Sequence, residues 1–382
     1  MGRTPSWQDR RNNTTDFPFW CKICGPKEKR FKTEKDKQTH DEMKESHDPN
    51  FVPVKRKQTR RKKKKKQNKF KVNKIIDSKV LPDENYRKKC KAVLKRIGDI
   101  LKNNVSERYR PAEVIKAGST GKGTAIKGNS DVDIVFFLPE TNFSTVESMV
   151  SEHKLILDDV KKTLKSSDYN VIGTTSKALK LRVKCHEHGS GKSHGIDVDV
   201  LPAANFGKLG ASIEKDDLQE IYDKMKSGPL SERKFYTLSL TKQQKMFVKR
   251  DRPETLKRLI RFVKYWKKTS IQVKNPPSSY SFELLLIDLW QQDGEPESFT
   301  IENGLRRVME QLADYKSIKV EFFEYYYECM KQRHTKPYII DPVNPYSNVL
   351  DETHSDWSVV ASHAKKYLEK AHMKVAKSGF CS

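Results

Sequence analysis

The sequence has no apolar stretch near 18 residues and no leader of the basic-then-apolar kind. A membrane-spanning helix and a secreted destination are therefore not expected. Cysteine is scarce: there are six, far apart except for Cys21 and Cys24. That spacing fits a reducing compartment with one metal site better than a disulfide framework. No internal repeat is found, so a repeat array is not expected. Apolar residues make up only 35% of the chain against 33% charged, which is polar for a compact globule. Some segment is expected to be unfolded or strongly solvated. Acid is absent altogether from residues 51–76, which carry 13 basic side chains.

The 382 residues suffice for one or two domains plus appendages. The net charge of +26 is unevenly spread. Residues 1–50 hold 11 basic and 9 acidic residues, residues 51–76 contribute +13, and the remaining 306 contribute +11. Both the basic run and the basic remainder point to a polyanionic partner, nucleic acid before membrane. Like charges at the density of VKRKQTRRKKKKKQNKFKVNK resist folding, so this run is a linker. Nuclear import, a nucleic-acid tether and a plain solvated spacer remain open as its roles. We expect a cytoplasmic protein, nuclear as well if the run is an import signal.

The stretch with the most chemistry is Gly118 to Leu138, GSTGKGTAIKGNSDVDIVFFL. It reads as a small-residue loop followed by a strand. Side chains alternate along a strand, so Asp131 and Asp133 share a face. Val135 to Leu138 read as the buried continuation. Two adjacent carboxylates repel unless protons, cations or hydrogen bonds intervene, and magnesium is the natural solution beside phosphates. Gly118 and Ser119 stand where backbone and hydroxyl can approach those phosphates. The competing reading is a strand-edge Asp pair without chemical consequence.

Upstream, residues 1–15 are polar and expected to be disordered. Residues 16–50 place Cys21 and Cys24 in a C-x2-C knuckle, followed by His40 and His47 on an expected helix. Two thiolates and two imidazoles make a closed tetrahedral zinc set. From Leu81 the pattern turns helical, with Pro82 and Asp83 at the start and Tyr86, Cys90, Val93, Ile97 and Leu101 as the core stripe. Lys88, Lys91, Lys95 and Lys102 gather opposite, either as a solvated face or as a surface for an RNA backbone. A strand follows near Val114–Ala117, a helix over 144–166, and two strands near Tyr169–Ile172 and Ala178–Cys185. CHEHGSGKSHG (Cys185–Gly195) has the Gly/Ser content of a hairpin loop more than the make-up of a metal site. In GIDVDVLPA, Asp197 and Asp199 again share a face. A third carboxylate beside the first pair completes a two-metal site.

GS-x10-SDVD followed by a hydrophobic-Asp-hydrophobic triplet resembles the nucleotidyltransferase superfamily of DNA polymerase beta. KAGSTGKGTAIKGNSDVDIVFFL, DVDVLPA, LKRLIRFVKYWKK, PPSSYSFELL and KPYIIDPVNPYSNV are more closely similar to one branch, the 2′-5′-oligoadenylate synthetases. The resemblance covers roughly residues 75–372 and leaves out the finger and the basic run. It implies an α+β, two-lobed, polymerase-beta-like enzyme. A mixed-sheet catalytic lobe would span 77–250 and a helical C-terminal lobe 251–375, with a tail at 376–382 and the small zinc finger at 16–50.

The resemblance implies Asp131, Asp133 and Asp199 as catalytic ligands of two Mg²⁺. It also implies Gly118, Ser119 and Lys122, with Lys127 assisting, as a donor-triphosphate cradle. Arg261 and Lys264, three apart on the helix Glu254–Lys268, are expected as surface neighbours gripping phosphate. Tyr280 falls at the base-binding position. Ser279 stands where the family commonly has Gln, which leaves the choice of acceptor base open. Residues 301–333 and 356–373 are expected as amphipathic helices, with the aromatics of VEFFEYYYECM in the core. DPVNPYSN is expected to brace helices. No Cys-Phe-Lys motif, tied to oligomers in some members, lies near the C-terminus, so assembly is open.

The implied activity is double-stranded-RNA-activated synthesis of 2′-5′-linked oligoadenylates from ATP. RNA would dock on Lys88, Lys91, Lys95, Lys102 and Lys122 and shift the lobes so that the three Asp converge. The runner-up is a cyclic dinucleotide product, as in sensors similar to cyclic GMP-AMP synthase. A third reading, of another class, is an inactive RNA-binding adaptor.

Overall fold

The computed structural model describes residues 72–127, 132–186, 193–207, 215–250, 252–330, 333–351 and 354–376, two short N-terminal strands, and single positions at Glu34 and Gln38. The chain divides into two compact units, Met1–Lys64 and Lys65–Ser382. In the first, β1 (Phe19–Trp20) pairs antiparallel with β2 (Arg30–Phe31), Phe19 opposite Phe31. The zinc set Cys21, Cys24, His40 and His47 lies outside the described residues, as do residues 1–15 and most of the basic run.

The larger unit opens with Ile76 and Val80 fully buried. Helix α1 (Glu84–Asn104) starts where Asp83 accepts a hydrogen bond from the Tyr86 N–H at 2.7 Å. That satisfies one of the orphan donors of the first turn. Its stripe of Cys90, Val93, Ile97 and Leu101 packs into the main core as the periodicity predicts.

The central sheet has the order β3 (Glu113–Lys116), β4 (Val132–Phe137), β7 (Ser193–Ala203), β6 (Leu179–His186), β5 (Asn170–Thr174). Only β4 and β7 run parallel; the other neighbours are antiparallel. His186 pairs with Ser193, so β6 and β7 are joined as the hairpin expected there. Alternation sorts the two faces. Val132, Ile134 and Phe136 point into the main core, while Val135 and Phe137 join Ala117 and Ala203 in a second, small cluster. Asp133 belongs to that second face.

Two expectations fail locally. The helix over 144–166 is broken into Val146–Ser151 and α3 (His153–Ser166). Thr145 caps the first piece by accepting from the Ser148 N–H, and Glu152 leaves helical geometry between the two. The small-residue loop at Gly118 is instead one helical turn, α2 (Gly118–Lys122), closed by Gly123 in left-handed conformation.

The C-terminal half holds α4 (Glu254–Ser270), α5 (Ser279–Gln292), α6 (Ile301–Ala313) and α7 (Trp357–Ala376). Beyond Ala313 the expected helix does not continue. β8 (Lys319–Val320) pairs parallel with β9 (Tyr338–Asp341), and only a short 3-10 turn follows at Glu328–Met330. Phe322, Tyr325 and Tyr326 are core residues as expected. The segment expected as a brace is a strand pair, β9 with β10 (Asn344–Asn348).

Candidate active site

The β4–β7 ladder sets Asp133 directly opposite Asp199. Neighbouring strands lie about 4.8 Å apart, so these carboxylates are close by backbone hydrogen bonding alone. On the other side of β7, β6 places Lys180 opposite Asp199 and Arg182 opposite Asp197. Lys180 Nζ is 3.8 Å from Asp199 Oδ2. Arg182 holds Asp197 through two hydrogen bonds of 2.7 Å. That fork keeps the Asp197 carboxyl below its ordinary range. The sheet thus presents two carboxylates of different standing: Asp197 is engaged by a guanidinium, Asp199 faces an ammonium and Asp133. Asp131 lies outside the described residues.

Gly118 sits against this pair with φ of +53°, where a Cβ would come within 1.6 Å of Asp133 Oδ2. Only glycine allows both the angle and the approach. The Ala117 N–H donates to the Asp133 carbonyl at 2.8 Å, which fixes α2 to β4.

A cleft of about 420 Å³ opens here. Gly118 and Ser119 of α2 and Asp133, Asp197 and Asp199 of the sheet line one side. Lys122 of α2, Lys264 of α4 and Ser279, Tyr280 and Glu283 of α5, to which Lys122 is bound, line the other. Among the expected nucleotide residues, Arg261 and Lys127 are not in the cleft lining.

The cations do not stand where the sequence reading put them. Arg261 and Lys264 are buried, at 7% and 5% exposure, not surface neighbours. Arg261 donates to Glu254 at 2.7 Å and to the Gly123 carbonyl at 2.6 Å, tying α4 to the end of α2. Lys264 donates to Glu283 at 2.9 Å and to the Thr124 carbonyl at 3.1 Å. Lys122 Nζ is 2.9 Å from the other Glu283 oxygen and 3.9 Å from the centre of the Tyr280 ring. Burial alone would raise the Glu283 carboxyl; Lys122, Lys264 and the Thr124 hydroxyl overcome that and hold it below the ordinary carboxylate range. Lys122 is only 6% exposed, so the expected RNA contact at this residue is corrected: its ammonium serves the cleft. Lys127 is also outside the cleft wall and pairs with Asp83 at 3.7 Å.

Lys88, Lys91, Lys95 and Lys102 all lie on the exposed side of α1 and are not brought to the cleft. Lys88 is paired with Glu84 at 3.0 Å. The sequence reading missed Lys180, Arg182, Lys267 and Glu283. Alternation along β6 could have offered the first two, but not the register that selects their partners. Glu283 was signalled by a lone acid inside the apolar run SFELLLI. Among the described residues no helix is long and apolar enough to cross a membrane.

This geometry can be set beside known proteins. Residues 99–222 match a family profile described as nucleotidyltransferase domain, and residues 216–381 match one described as 2′-5′-oligoadenylate synthetase 1, domain 2, C-terminus. Rat 2′-5′-oligoadenylate synthase 1A is 28% identical over 329 residues, covering 78% of this chain and 89% of that protein. Mouse inactive 2′-5′-oligoadenylate synthase 1B is 27% identical over 326 residues, covering 78% and 84%. The structure of Escherichia coli CdnC with ATP superimposes with a TM-score of 0.53 at 18% identity, covering 77% of this chain and 88% of that one, and shows a shared fold. Sheet, cleft and matches together define a nucleotidyltransferase. The chain is an enzyme of the 2′-5′-oligoadenylate synthase type.

Proposed function

We propose that this enzyme is activated by double-stranded RNA and joins ATP, without a template, into 2′-5′-linked oligoadenylates with release of pyrophosphate. The observation that carries the reading is the register pair Asp133–Asp199 at the edge of a cleft whose opposite wall is built from lysines. Asp133 and Asp199, with Asp131, offer the hard oxygen donors that magnesium takes. Two such ions, when bound, supply positive charge to the triphosphate and lower the pKa of the attacking hydroxyl. Gly118 and Ser119 cradle the donor triphosphate, and Lys122 and Lys264 lend it positive charge. Arg261 acts behind them by holding α4 to α2. Tyr280 offers its ring to a base. The acceptor 2′-oxygen bonds to the α-phosphorus as the bond to pyrophosphate breaks, and the hydroxyl proton passes to Asp199.

Asp133 and Asp199 are already side by side in one sheet. The convergence of carboxylates expected of RNA binding is therefore not needed for these two. RNA on the Lys88–Lys102 face of α1 acts instead by favouring the competent arrangement of the cleft as a whole. The four residues Cys21, Cys24, His40 and His47 hold one zinc, and the polybasic run serves as a tether or import signal for a cytoplasmic protein. Metal analysis of the full chain is expected to give about one zinc, lost in a Cys21→Ala/Cys24→Ala variant. Unchanged zinc in that variant would remove the finger.

The test of the activity is incubation with the four nucleotides and Mg²⁺, with and without double-stranded RNA. Products are identified by mass and by linkage-specific nucleases. RNA-dependent 2′-5′ oligoadenylate, abolished in Asp199→Ala with RNA binding kept, is the expected result. A cyclic dinucleotide is the second reading, left open by Ser279, which stands where the family commonly has glutamine and so does not fix the acceptor base. Absence of any product, with RNA bound, would make the chain an adaptor.

A further inference from the structure

The buried Lys122–Glu283–Lys264 network leaves one cation directly behind the cleft wall unexplained. Lys267, one turn beyond Lys264 on α4, is half-buried and donates to Ser279 Oγ at 3.1 Å. Among the described residues it has no ion pair with a carboxylate. Lys122 and Lys264 already share Glu283. This wall, with Lys267 behind it, therefore carries three ammonium groups against one carboxylate. Ser279 itself lines the cleft, with Lys267 behind it.

A lysine ammonium has donors only, while a hydroxyl has one donor and two acceptor sites. The Lys267 contact therefore makes Ser279 Oγ an acceptor on that side, and its proton must point elsewhere. We propose that Lys267 is a positioning residue that fixes Ser279 as a hydrogen-bond donor into the cleft, so that this position accepts a phosphate oxygen of the bound nucleotide. The other carboxylates of the cleft, Asp133, Asp197 and Asp199, lie on the sheet side with Lys180, so the surplus of positive charge is local to Ser279 and favours a phosphate there over a neutral base. This rests on the reading of the cleft as a nucleoside-triphosphate site. Burial, with Lys264 beside it, pushes the Lys267 amine down to about 8. A neutral amine can accept from Ser279 and turn the hydroxyl away from the ligand. The other charged or titratable groups of this wall are Lys264 on the same helix, Glu283 and Tyr280 on α5, and Lys122 on α2.

The experiment is calorimetric titration of the full chain with ATP and Mg²⁺ between pH 6.5 and 9.5, a range on the order of one unit or more either side of the Lys267 value. K267M and S279A are each expected to weaken ATP binding about tenfold at pH 7, the scale of one charge-assisted hydrogen bond. K267M in the S279A background is expected to add nothing further. Wild-type affinity is expected to fall as pH rises through about 8. K267R, which stays charged and leaves the neighbouring groups in place, is expected to bind at pH 7 as wild type does and to lose that alkaline decline. Additive losses in the double variant, or unaltered binding by K267M, would overturn the proposal. K267R and S279A serve if K267M does not fold. A wild-type chain that binds no ATP would instead overturn the nucleotide reading of the cleft.

Discussion

The two walls of the cleft are positioned by different means. Asp133 and Asp199 are held by a backbone ladder, so their spacing is a property of strand pairing and survives changes in the side chains themselves. Lys122, Lys264 and Glu283 are held by one another, by Thr124 and by the Tyr280 ring, across elements far apart in sequence. Changes on the carboxylate wall should remove chemistry and spare the fold. Changes on the cationic wall should damage both.

The largest expected effect is on the first wall. Asp133→Asn keeps shape and ladder but removes charge. Synthesis is expected to fall by about a thousandfold or more, the upper scale for removing a group that stabilises transition-state charge. The melting temperature is expected to stay near wild type. A large drop in melting temperature would mean that the carboxylate is structural.

Glu283→Ala is expected to do the reverse in emphasis. It strands two buried ammonium groups and should cost about 3–5 kcal/mol of stability, measured by denaturant unfolding. The pH dependence has a definite sign. The Glu283 carboxyl is depressed in the folded state, so its contribution is present above the ordinary carboxylate range and is lost as pH falls toward and through the folded value. Glu283→Gln is expected to flatten that acid limb. An unchanged limb would assign the stability to other pairs.

Gly118→Ala tests the junction of the walls. The added Cβ meets Asp133 Oδ2, and the backbone stays at positive φ. A stability loss of about 1–3 kcal/mol is expected, together with loss of synthesis, because α2 or Asp133 must move. Full activity would show that the GS turn tolerates displacement.

The same contrast governs what the sequence could reveal. Period-two alternation gave the shared face of the Asp pairs, and 3.6-residue periodicity gave the buried stripe of α1, because both depend on local geometry. Arg261 and Lys264 misled because charge ordinarily marks surface, and their burial depends on Glu283, Gly123 and Thr124, which only the tertiary fold supplies. The aromatics after Val320 misled because burying consecutive rings needs no helix once β8 pairs with β9.

The smallest expected effect separates two residues that period alone treats alike. Asp197 and Asp199 share a strand and a face, and only the resemblance to a known family favoured the second. The structure supplies a physical difference: Arg182 closes on Asp197 with a two-bond fork, while Lys180 stands 3.8 Å from Asp199. The Arg182–Asp197 pair is well exposed to solvent, so it should contribute little to stability. Asp197→Asn is expected to leave synthesis within a few-fold of wild type, on the order of what loss of an exposed pair allows, whereas Asp199→Ala abolishes it. Measured in the same assay, a severe loss in Asp197→Asn would mean that the Arg182 fork opens during turnover and that Asp197 joins the carboxylate wall.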